Sequence, residues 1–300
     1  MTKTTTPLFS FNAQGTIDKS ITFRGSRNGT VVEKKPELVD PRTLAQWYHR
    51  GDYLDSISLW HQLTPAQKWT YESNARRYHI TGYNLFLKET LPDLAHLALR
   101  YHLDEGLGIT TQDTVNSLYP ATLYGPTWQP GYFSNCLSFD GIDDYTQAPN
   151  HPSLNITNNL TMEYWMNPVG TGQTFQSPLS KGLHASQSYA TYHAVGNQDI
   201  SFMLAVGGGL RTGGWGPAIP INQWTHVTIT FKDGIVTAYK NGIQIGQADL
   251  TAFGTTLDPN SSPFYLGKSY EHFKGLLDEV RIYNIVLPTA LILEHAQRRY

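Results

Sequence analysis

The feature that most constrains the fold of this 300-residue chain is a series of short apolar runs between Leu94 and Leu287. Each run has the length of one β-strand, and Gly, Asn, Asp and Pro separate it from the next. Asn241-Gly242 is a typical two-residue hairpin turn between two of these runs. Strand-sized runs with turn residues between them predict an antiparallel sandwich or barrel. The clearest runs are LSFDG, LTMEYWMNP, ISFMLAVGG, WTHVTITFKDG, VTAYKNGIQIG, FYLGK and LLDEVRIYN.

The composition agrees with a sheet protein that has a packed core. Hydrophobic residues make up 40% of the chain and aromatic residues 12%, which excludes general disorder. The net charge is -2, with +3 on residues 1–93 and -5 on the remainder, so we expect no nucleic-acid partner. Cys136 is the single cysteine, and the chain therefore forms no intramolecular disulfide.

The N-terminal sequence and the apolar runs bear on where the chain folds. The segment MTKTTTPLFSFNAQG lacks a basic region followed by an apolar one, so it is not expected to act as a secretory signal peptide. No apolar run approaches the roughly 20 residues that a membrane helix needs. We therefore expect synthesis and folding in a cytoplasm, without membrane insertion.

Residues 1–92 have a different pattern, which predicts a small β-then-α domain. Three alternating segments, LFSFNAQG, SITFRGS and NGTVVEKK, indicate strands, with Asn28-Gly29 as a hairpin turn. The pattern is helical from Arg42 to about Leu91. In it, Thr64-Pro65-Ala66-Gln67 predicts a helix start with a capping box. A sandwich over residues 93–287 and a C-terminal helix over residues 288–300 complete the predicted organisation.

The motifs of the larger segment occur in an order that resembles one family. They are LALRYHLDEG, GPTWQPGYFSNCLSFDGIDDYTQAPNHPSLNIT, LTMEYWMNP, NQWTHVTITFKDGIVTAYKNGIQIG, SSPFYLGKS and FKGLLDEVRIYN. The chain from about Leu94 to Leu287 resembles the laminin-G-like (LamG-type) jelly rolls. The resemblance implies a mainly β fold, with two packed antiparallel sheets of the concanavalin A-like type, and a lectin-like function.

The N-terminal segment resembles small domains that phages and phage-like elements encode. The resemblance rests on SITFRGSRNGTVVEKKP, ISLWHQLTPAQKWTYESNA and TGYNLFLKETL, and it implies a context in a virus particle rather than an activity. LTPAQKWTYESNA is also superficially similar to a high-mobility-group box. A DNA-bending protein of that kind would be far more basic than this chain.

The chain lacks the catalytic motifs of several enzyme classes. Retaining glycosidases of this superfamily carry Glu-x-Asp-x-x-Glu on one strand, where alternate residues share a face. No Glu here precedes an Asp by two positions, and Glu163 stands alone in its strand. No Gly-x-Ser-x-Gly elbow, His-Glu-x-x-His helix or Gly-x-x-x-x-Gly-Lys phosphate-binding loop is present. We therefore expect a protein that is not an enzyme.

One structural Ca²⁺ is the most specific chemical expectation. Asp140, Asp143 and Asp144 crowd the short loop FDGIDDY, and Ca²⁺ binds six to eight oxygen atoms in such turns. The resemblance implies that Asp278, at the start of a late strand, comes close to this loop. The alternative is that these aspartates cap turns by accepting hydrogen bonds from their own backbone.

A sugar site requires an exposed aromatic ring beside polar groups, because a pyranose has an apolar face and a hydroxylated rim. The candidates are Trp215 with Arg211 in GGGLRTGGWGP, and Tyr270 with His272 in KSYEHFKG. Both segments are predicted loops. The alternatives are an ordinary loop or a contact with another subunit.

Together these expectations describe a non-catalytic virion surface protein, either a capsid decoration or a tail-associated protein. Residues 1–92 anchor it to virion structural proteins, and the sandwich adheres weakly to host-surface glycans. A repeated, homo-oligomeric placement fits, since avidity multiplies weak affinities. The alternative is a stand-alone cellular carbohydrate-binding or adhesion module, in which residues 1–92 have no anchoring role.

Overall fold

The structure is a computed structural model in which the chain divides into two units, residues 1–50 and 51–300. The residues that it describes are 15–17, 21–26, 29–34, 53, 57, 60–61, 63–90, 96–115, 120–170, 174–194, 199–216 and 219–297.

In the first unit, the described strands form a small antiparallel sheet in the order β1-β2-β3. The strands are β1 (Gly15–Ile17), β2 (Ile21–Ser26) and β3 (Gly29–Lys34). The predicted hairpin is present, but Gly29 pairs with Ser26 and so begins β3 instead of lying in the turn. Asn28 and the predicted helix from Arg42 lie outside the described residues of this unit.

The second unit includes two helices whose bounds are described, α1 (Pro65–Ala75) and α2 (Gly82–Thr90), joined through a short 3₁₀ turn at Arg76–Tyr78. The predicted capping box is confirmed: the Thr64 hydroxyl accepts from the Gln67 N–H at 3.3 Å, and Gln67 Oε1 accepts from the Thr64 N–H at 2.8 Å. No described helix is both long and apolar enough to cross a membrane. The boundary between residues 92 and 93 stays a prediction.

Two sheets follow, and they pack face to face as a sandwich, as predicted. Over the described residues the smaller sheet has eight strands in the order β17-β16-β15-β10-β20-β8-β7, with β4 beside β20. Its strands are β4 (Leu97–Tyr101), β7 (Thr127–Pro130), β8 (Asn135–Asp140), β10 (Leu160–Pro168), β15 (Thr225–Lys232), β16 (Ile235–Lys240), β17 (Ile243–Asp249) and β20 (Lys274–Tyr283).

The larger sheet has nine described strands in the order β14-β13-β12-β11-β18-β9-β6-β5, with β19 parallel to β11. They are β5 (Thr110–Thr111), β6 (Ala121–Tyr124), β9 (Tyr145–Ala148), β11 (Phe175–Lys181), β12 (Tyr189–Ala194), β13 (Asp199–Val206), β14 (Gly209–Trp215), β18 (Phe264–Leu266) and β19 (Glu271–His272).

Alternation along each strand separates the core from the two outer faces. In β10, Met162 and Tyr164 point between the sheets and are buried in the core, while Glu163 and Trp165 point to the outer face of the smaller sheet. The same alternation turns Leu123 of β6 inward and its neighbour Tyr124 outward. The core therefore fixes which side chains each outer face can present.

The predicted C-terminal helix is present as α3 (Thr289–Gln297), and it packs on the outer face of the smaller sheet. Leu291 and Ile292 of α3 lie in an apolar cluster with Tyr239 and Tyr283 of the sheet. Nδ1 of His295 also donates a hydrogen bond to Glu163 Oε2 at 2.9 Å, and both residues are buried. The helix thus covers part of this outer face.

Candidate functional site

The outer face of the larger sheet carries a stack of aromatic rings. Tyr124 of β6 lies opposite Tyr145 of β9 in the strand register, and their rings stack with centroids 4.7 Å apart and planes 14° apart. Tyr265 of β18 lies next to Tyr145, with ring centroids 6.3 Å apart. Lys268 Nζ lies 3.9 Å from the Tyr145 ring centroid, which is a cation–π contact. We call Tyr124, Tyr145, Tyr265 and Lys268 the tyrosine platform.

Tyr124 is the exposed end of the tyrosine platform. Its side chain is 44% exposed, while Tyr265 is buried at the other end. Burial, and then the nearby Tyr145 and Tyr124, raise the pKa of Tyr265, so its hydroxyl stays protonated at neutral pH. A hydrogen bond of 2.7 Å from the Ser180 hydroxyl to the Lys268 carbonyl fixes the backbone that carries the lysine. The platform is therefore a preformed aromatic surface with hydroxyl and ammonium donors beside it.

The acidic loop that we predicted as a metal site joins β8 of the smaller sheet to β9 of the larger one, so it lies beside the platform. Asp140 Oδ1 accepts from the N–H groups of Ile142 at 2.7 Å and Asp143 at 3.3 Å. Asp144 Oδ2 accepts from the Asp140 N–H at 2.8 Å. Oxygen atoms of Asp140, Asp143 and Asp144 lie within 4.8 Å of one another. The loop thus caps its own turn, and it also brings three carboxylates close together.

Asp144, the buried aspartate of this loop, is tightly fitted against a neighbouring strand end. Gly125, next to Tyr124, has a φ of +96°, and a Cβ there would overlap the Asp144 carboxylate. Burial, followed by the charges of Asp140 and Asp143, raises the pKa of Asp144, although the Asp140 N–H opposes that change. For Asp140, slight burial is outweighed by the N–H groups of Ile142, Asp143 and Asp144, which lower its pKa. Asp140 is therefore ionised, and Asp144 is held inside the turn.

His272, which we predicted as a ligand residue in a loop, lies in the short strand β19 instead, near the acidic loop. Burial and the charge of Lys268 lower its pKa, while Asp143 and Asp140 act in the opposite direction. The structure therefore brings together residues from the predicted metal site and the predicted sugar site. Tyr270 lies two residues before His272, is 62% exposed and contacts the ring of His184 at 5.3 Å.

Asp278 does not join this site, which corrects the predicted ligand set. In β20 it is Lys274 that pairs with Asp140, so Asp278 lies four residues along the strand, about 13 Å away at 3.3 Å per residue. Asp278 is buried, and its Oδ2 accepts from the Phe133 N–H at 2.9 Å. Burial, followed by the charge of Glu279, raises the pKa of Asp278 well above its ordinary value.

Trp215 and Arg211 also lie elsewhere, because their segment is the edge strand β14 and not a loop. The Trp215 ring stacks on Phe202 at 5.3 Å and packs against Gly246 of the other sheet. Arg211 lies 3.9 Å above the Phe253 ring, and its Nε donates to the Val206 carbonyl at 3.3 Å. Six strand steps of about 4.8 Å separate β14 from β6, so these side chains are roughly 30 Å from Tyr124.

Comparison with known proteins identifies the family. The Laminin_G_3 model, described as concanavalin A-like lectin/glucanases superfamily, matches residues 140–292, which is half of the chain. The chain belongs to the concanavalin A-like lectin/glucanases superfamily. No curated protein sequence matches this superfamily member significantly.

Solved structures show the same fold at low sequence identity. The binding domain of Paraclostridial Mosquitocidal Protein 1 is 14% identical over 68% of this superfamily member, with a TM-score of 0.56. The match covers 52% of that binding domain, so this chain spans about half of its length. Domain 4 of AbnA, an extracellular arabinanase from Geobacillus stearothermophilus solved with arabinotriose, is 19% identical over 67% of the chain and 98% of the domain, with a TM-score of 0.52. Trypanosoma rangeli sialidase is 15% identical over 66% of the chain and 32% of its own length, with a TM-score of 0.51.

The sequence analysis did not predict a buried group of charged residues around Glu279, which is separate from the acidic loop. Glu279 is buried between His102 Nδ1 and an Arg281 nitrogen, each 2.6 Å from one of its oxygen atoms. Burial would raise the pKa of Glu279, but His102 and Arg281 lower it to about 2. Asp104 completes a set of possible metal ligands with His102 and Glu279. Because Glu279 already has two partners, we assign this group to the stability of the fold.

The tyrosine platform was also missed, for a simpler reason. Its members lie far apart in sequence, in ATLYG, DDYTQA and FYLGKS. Only the strand order β18-β9-β6 places them side by side. The one available signal was a tyrosine at an outward position of each of three short strands.

Proposed function

We propose that this protein is a non-catalytic carbohydrate-binding module, and that the tyrosine platform is its ligand site. The observation that carries the proposal is the partly exposed Tyr124 ring, stacked on Tyr145 beside Lys268. An aromatic ring fits the apolar face of a pyranose, and nearby donors and acceptors fit its hydroxyl rim. Lys268 and His272 supply donors here, and Asp140 and Asp143 supply acceptors.

Two observations support binding without catalysis. Glycoside hydrolysis needs one carboxylic acid with a raised pKa and a second carboxylate, both facing the substrate. Beside the platform, Asp140 has a lowered pKa, and the Asp144 side chain with the raised pKa is buried against Gly125. Neither is a suitable proton donor.

The relatives support the ligand class. Two of the similar structures are of binding domains or complexes: the binding domain of the mosquitocidal protein, and the arabinanase domain solved in complex with the sugar arabinotriose. These structures share only the fold with this chain, so we propose its ligand from the geometry of the tyrosine platform. An oligosaccharide is the ligand class that agrees with both the platform and the similar structures.

A glycan array with the full chain tests the proposal. We expect binding to a defined set of oligosaccharides, lost on Tyr124→Ala. Trp69→Ala is the matched control, since Trp69 is also an exposed aromatic residue, at 63%, but lies on α1. Binding that Tyr124→Ala leaves intact, or that both variants lose equally, would reject the platform as the site.

We further propose that the module is displayed on a virus particle and that residues 1–92 anchor it to virion proteins. The support is the resemblance of the N-terminal sequence to phage-encoded domains, together with a lectin-like sandwich suited to weak, multivalent adhesion. Mass spectrometry of washed particles tests this, with copy number measured against the major capsid protein. Absence from particles would favour a stand-alone cellular carbohydrate-binding module.

A further inference from the structure

The side chain of Lys181 is a buried cation surrounded by neutral oxygen atoms. Lys181 ends β11 and is fully buried. Four oxygen atoms lie within hydrogen-bond distance of its Nζ: Asn150 Oδ1 at 2.8 Å, the Asn260 carbonyl and Oδ1 at 3.1 Å each, and the Ser262 carbonyl at 2.5 Å. None of these acceptors is a carboxylate. A buried charge is costly unless its environment replaces the lost water, so these oxygen atoms act as a hydration shell.

The oxygen atoms form a cage that other contacts hold in place. Asn150 follows β9, whereas Asn260 and Ser262 precede β18. Asn260 Oδ1 also accepts from the Ser262 N–H at 3.0 Å, and Asn260 Nδ2 donates to the Ser186 carbonyl at 2.5 Å. We call Asn150 Oδ1, both Asn260 oxygens and the Ser262 carbonyl the oxygen cage.

The number of acceptors is the informative feature of the oxygen cage. An ammonium group has three N–H donors, yet four oxygen atoms lie within 3.1 Å of Lys181 Nζ. A surplus of convergent oxygen atoms is typical of ion coordination. Because the ligands are neutral, they suit a monovalent cation, whereas Ca²⁺ sites usually include carboxylates. Burial lowers the pKa of Lys181 to about 8, so the ammonium form still predominates at pH 7.

We propose that the oxygen cage is a monovalent-cation site that the chain fills with its own Lys181 ammonium group. A free alkylammonium ion takes the same place when the side chain is removed. Asn260 of the cage lines a cavity of about 330 Å³ together with Ser186, Gly208 and Asp258, so the lysine fixes one wall of that cavity.

Two variants of Lys181 test the proposal by thermal unfolding at pH 7. Lys181→Met keeps the length of the side chain but removes every N–H, so it should lower Tm by about 5 °C or more. Lys181→Ala leaves a space with the shape of propylammonium. We expect propylammonium chloride to raise the Tm of Lys181→Ala in a saturable manner, and to leave wild type and Lys181→Met unchanged. Tetramethylammonium chloride, which has no N–H donor, is the control for ionic strength.

A second pair of variants keeps the lysine and covers the case in which Lys181→Ala does not fold. Asn150→Ala removes one oxygen of the cage, and Asn150→Asp keeps an oxygen there and adds a negative charge. We expect Asn150→Asp to melt above Asn150→Ala. The proposal is overturned if Lys181→Met melts with wild type, if propylammonium and tetramethylammonium act alike on Lys181→Ala, or if the two Asn150 variants melt together.

Discussion

Trp215 packs its indole ring against the backbone of Gly246, at a point where a Cβ on that glycine would overlap the ring. Trp215 lies on the edge strand β14 of the larger sheet, and Gly246 lies on the edge strand β17 of the smaller one. The contact therefore joins the two sheets along one open edge of the sandwich. Trp215 is a structural residue, although its glycine-rich flanks resemble those of a binding loop.

The contact between Trp215 and Gly246 makes a prediction about stability. Gly246→Val should lower the free energy of unfolding by about 1–3 kcal/mol, because the added atoms displace the indole ring. Urea denaturation measures the loss, with Gln244→Ala, at an exposed position of the same strand, as the control. Glycan binding at the tyrosine platform should not change. A fully stable Gly246→Val would mean that Trp215 is free to move away.

A conservative pair of variants separates stacking from hydrogen bonding at Tyr124. Tyr124→Ala should weaken glycan binding by about tenfold, close to 1.4 kcal/mol, through loss of the exposed ring. Tyr124→Phe keeps the ring and should retain most of the affinity. Isothermal titration calorimetry with the best array ligand gives both values. Equal loss in the two variants would assign recognition to the hydroxyl group instead of the ring face.

Ca²⁺ binding at the acidic loop stays a prediction, and the structure sharpens it. Chelation by EDTA should lower Tm if Asp140, Asp143 and Asp144 hold the ion. Asp143→Asn should abolish this response, because it removes one of the carboxylates that would hold the ion. Since Asp143 is exposed, the substitution should leave the turn itself intact. Asp278→Asn should preserve the response, since Asp278 lies along β20 from the loop. If EDTA does not change the Tm of the wild-type protein, the prediction of Ca²⁺ binding at this loop is wrong.

Acid should destabilise the protein through His193. Burial lowers the pKa of His193 to about 4, against the weaker, opposite effect of Asp199. In the unfolded chain the pKa of histidine is about 6.5, so between pH 6.5 and 4 the unfolded state binds the extra proton. The free energy of unfolding should fall across this window, by up to about 3 kcal/mol from this residue.

The control for the acid effect is His193→Leu, which removes the titrating group and also the Nδ1 atom that has no hydrogen-bond partner. Urea denaturation at a series of pH values should give a shallower slope for the variant than for wild type. Parallel slopes would assign the acid sensitivity to other groups, such as the buried pair His102 and Glu279.

The sequence predicted the fold better than the site, and particular residues show why. The strands follow from local alternation and from turns such as Asn241-Gly242, which depend on neighbouring residues only. Tyr124, Tyr145 and Lys268 meet through strand order, which local patterns do not encode. Trp215 was misassigned because glycines suit a loop and also suit an edge strand that lies close to another backbone. Asp278 was predicted to lie near the acidic loop from the family resemblance alone, but in the register of β20 it is Lys274 that pairs with Asp140.

The position of α3 has a practical consequence for studying this protein. Because α3 packs on part of the outer face of the smaller sheet, the tyrosine platform lies on the opposite side of the sandwich. Gln297 is exposed at the end of α3, and Cys136, the one natural cysteine, is buried. A cysteine introduced at position 297 would thus offer a single reactive thiol for coupling to a sensor chip or a bead. Coupled in this way, every molecule would point its platform toward the solution, so that weak ligands could be measured on a uniformly oriented surface.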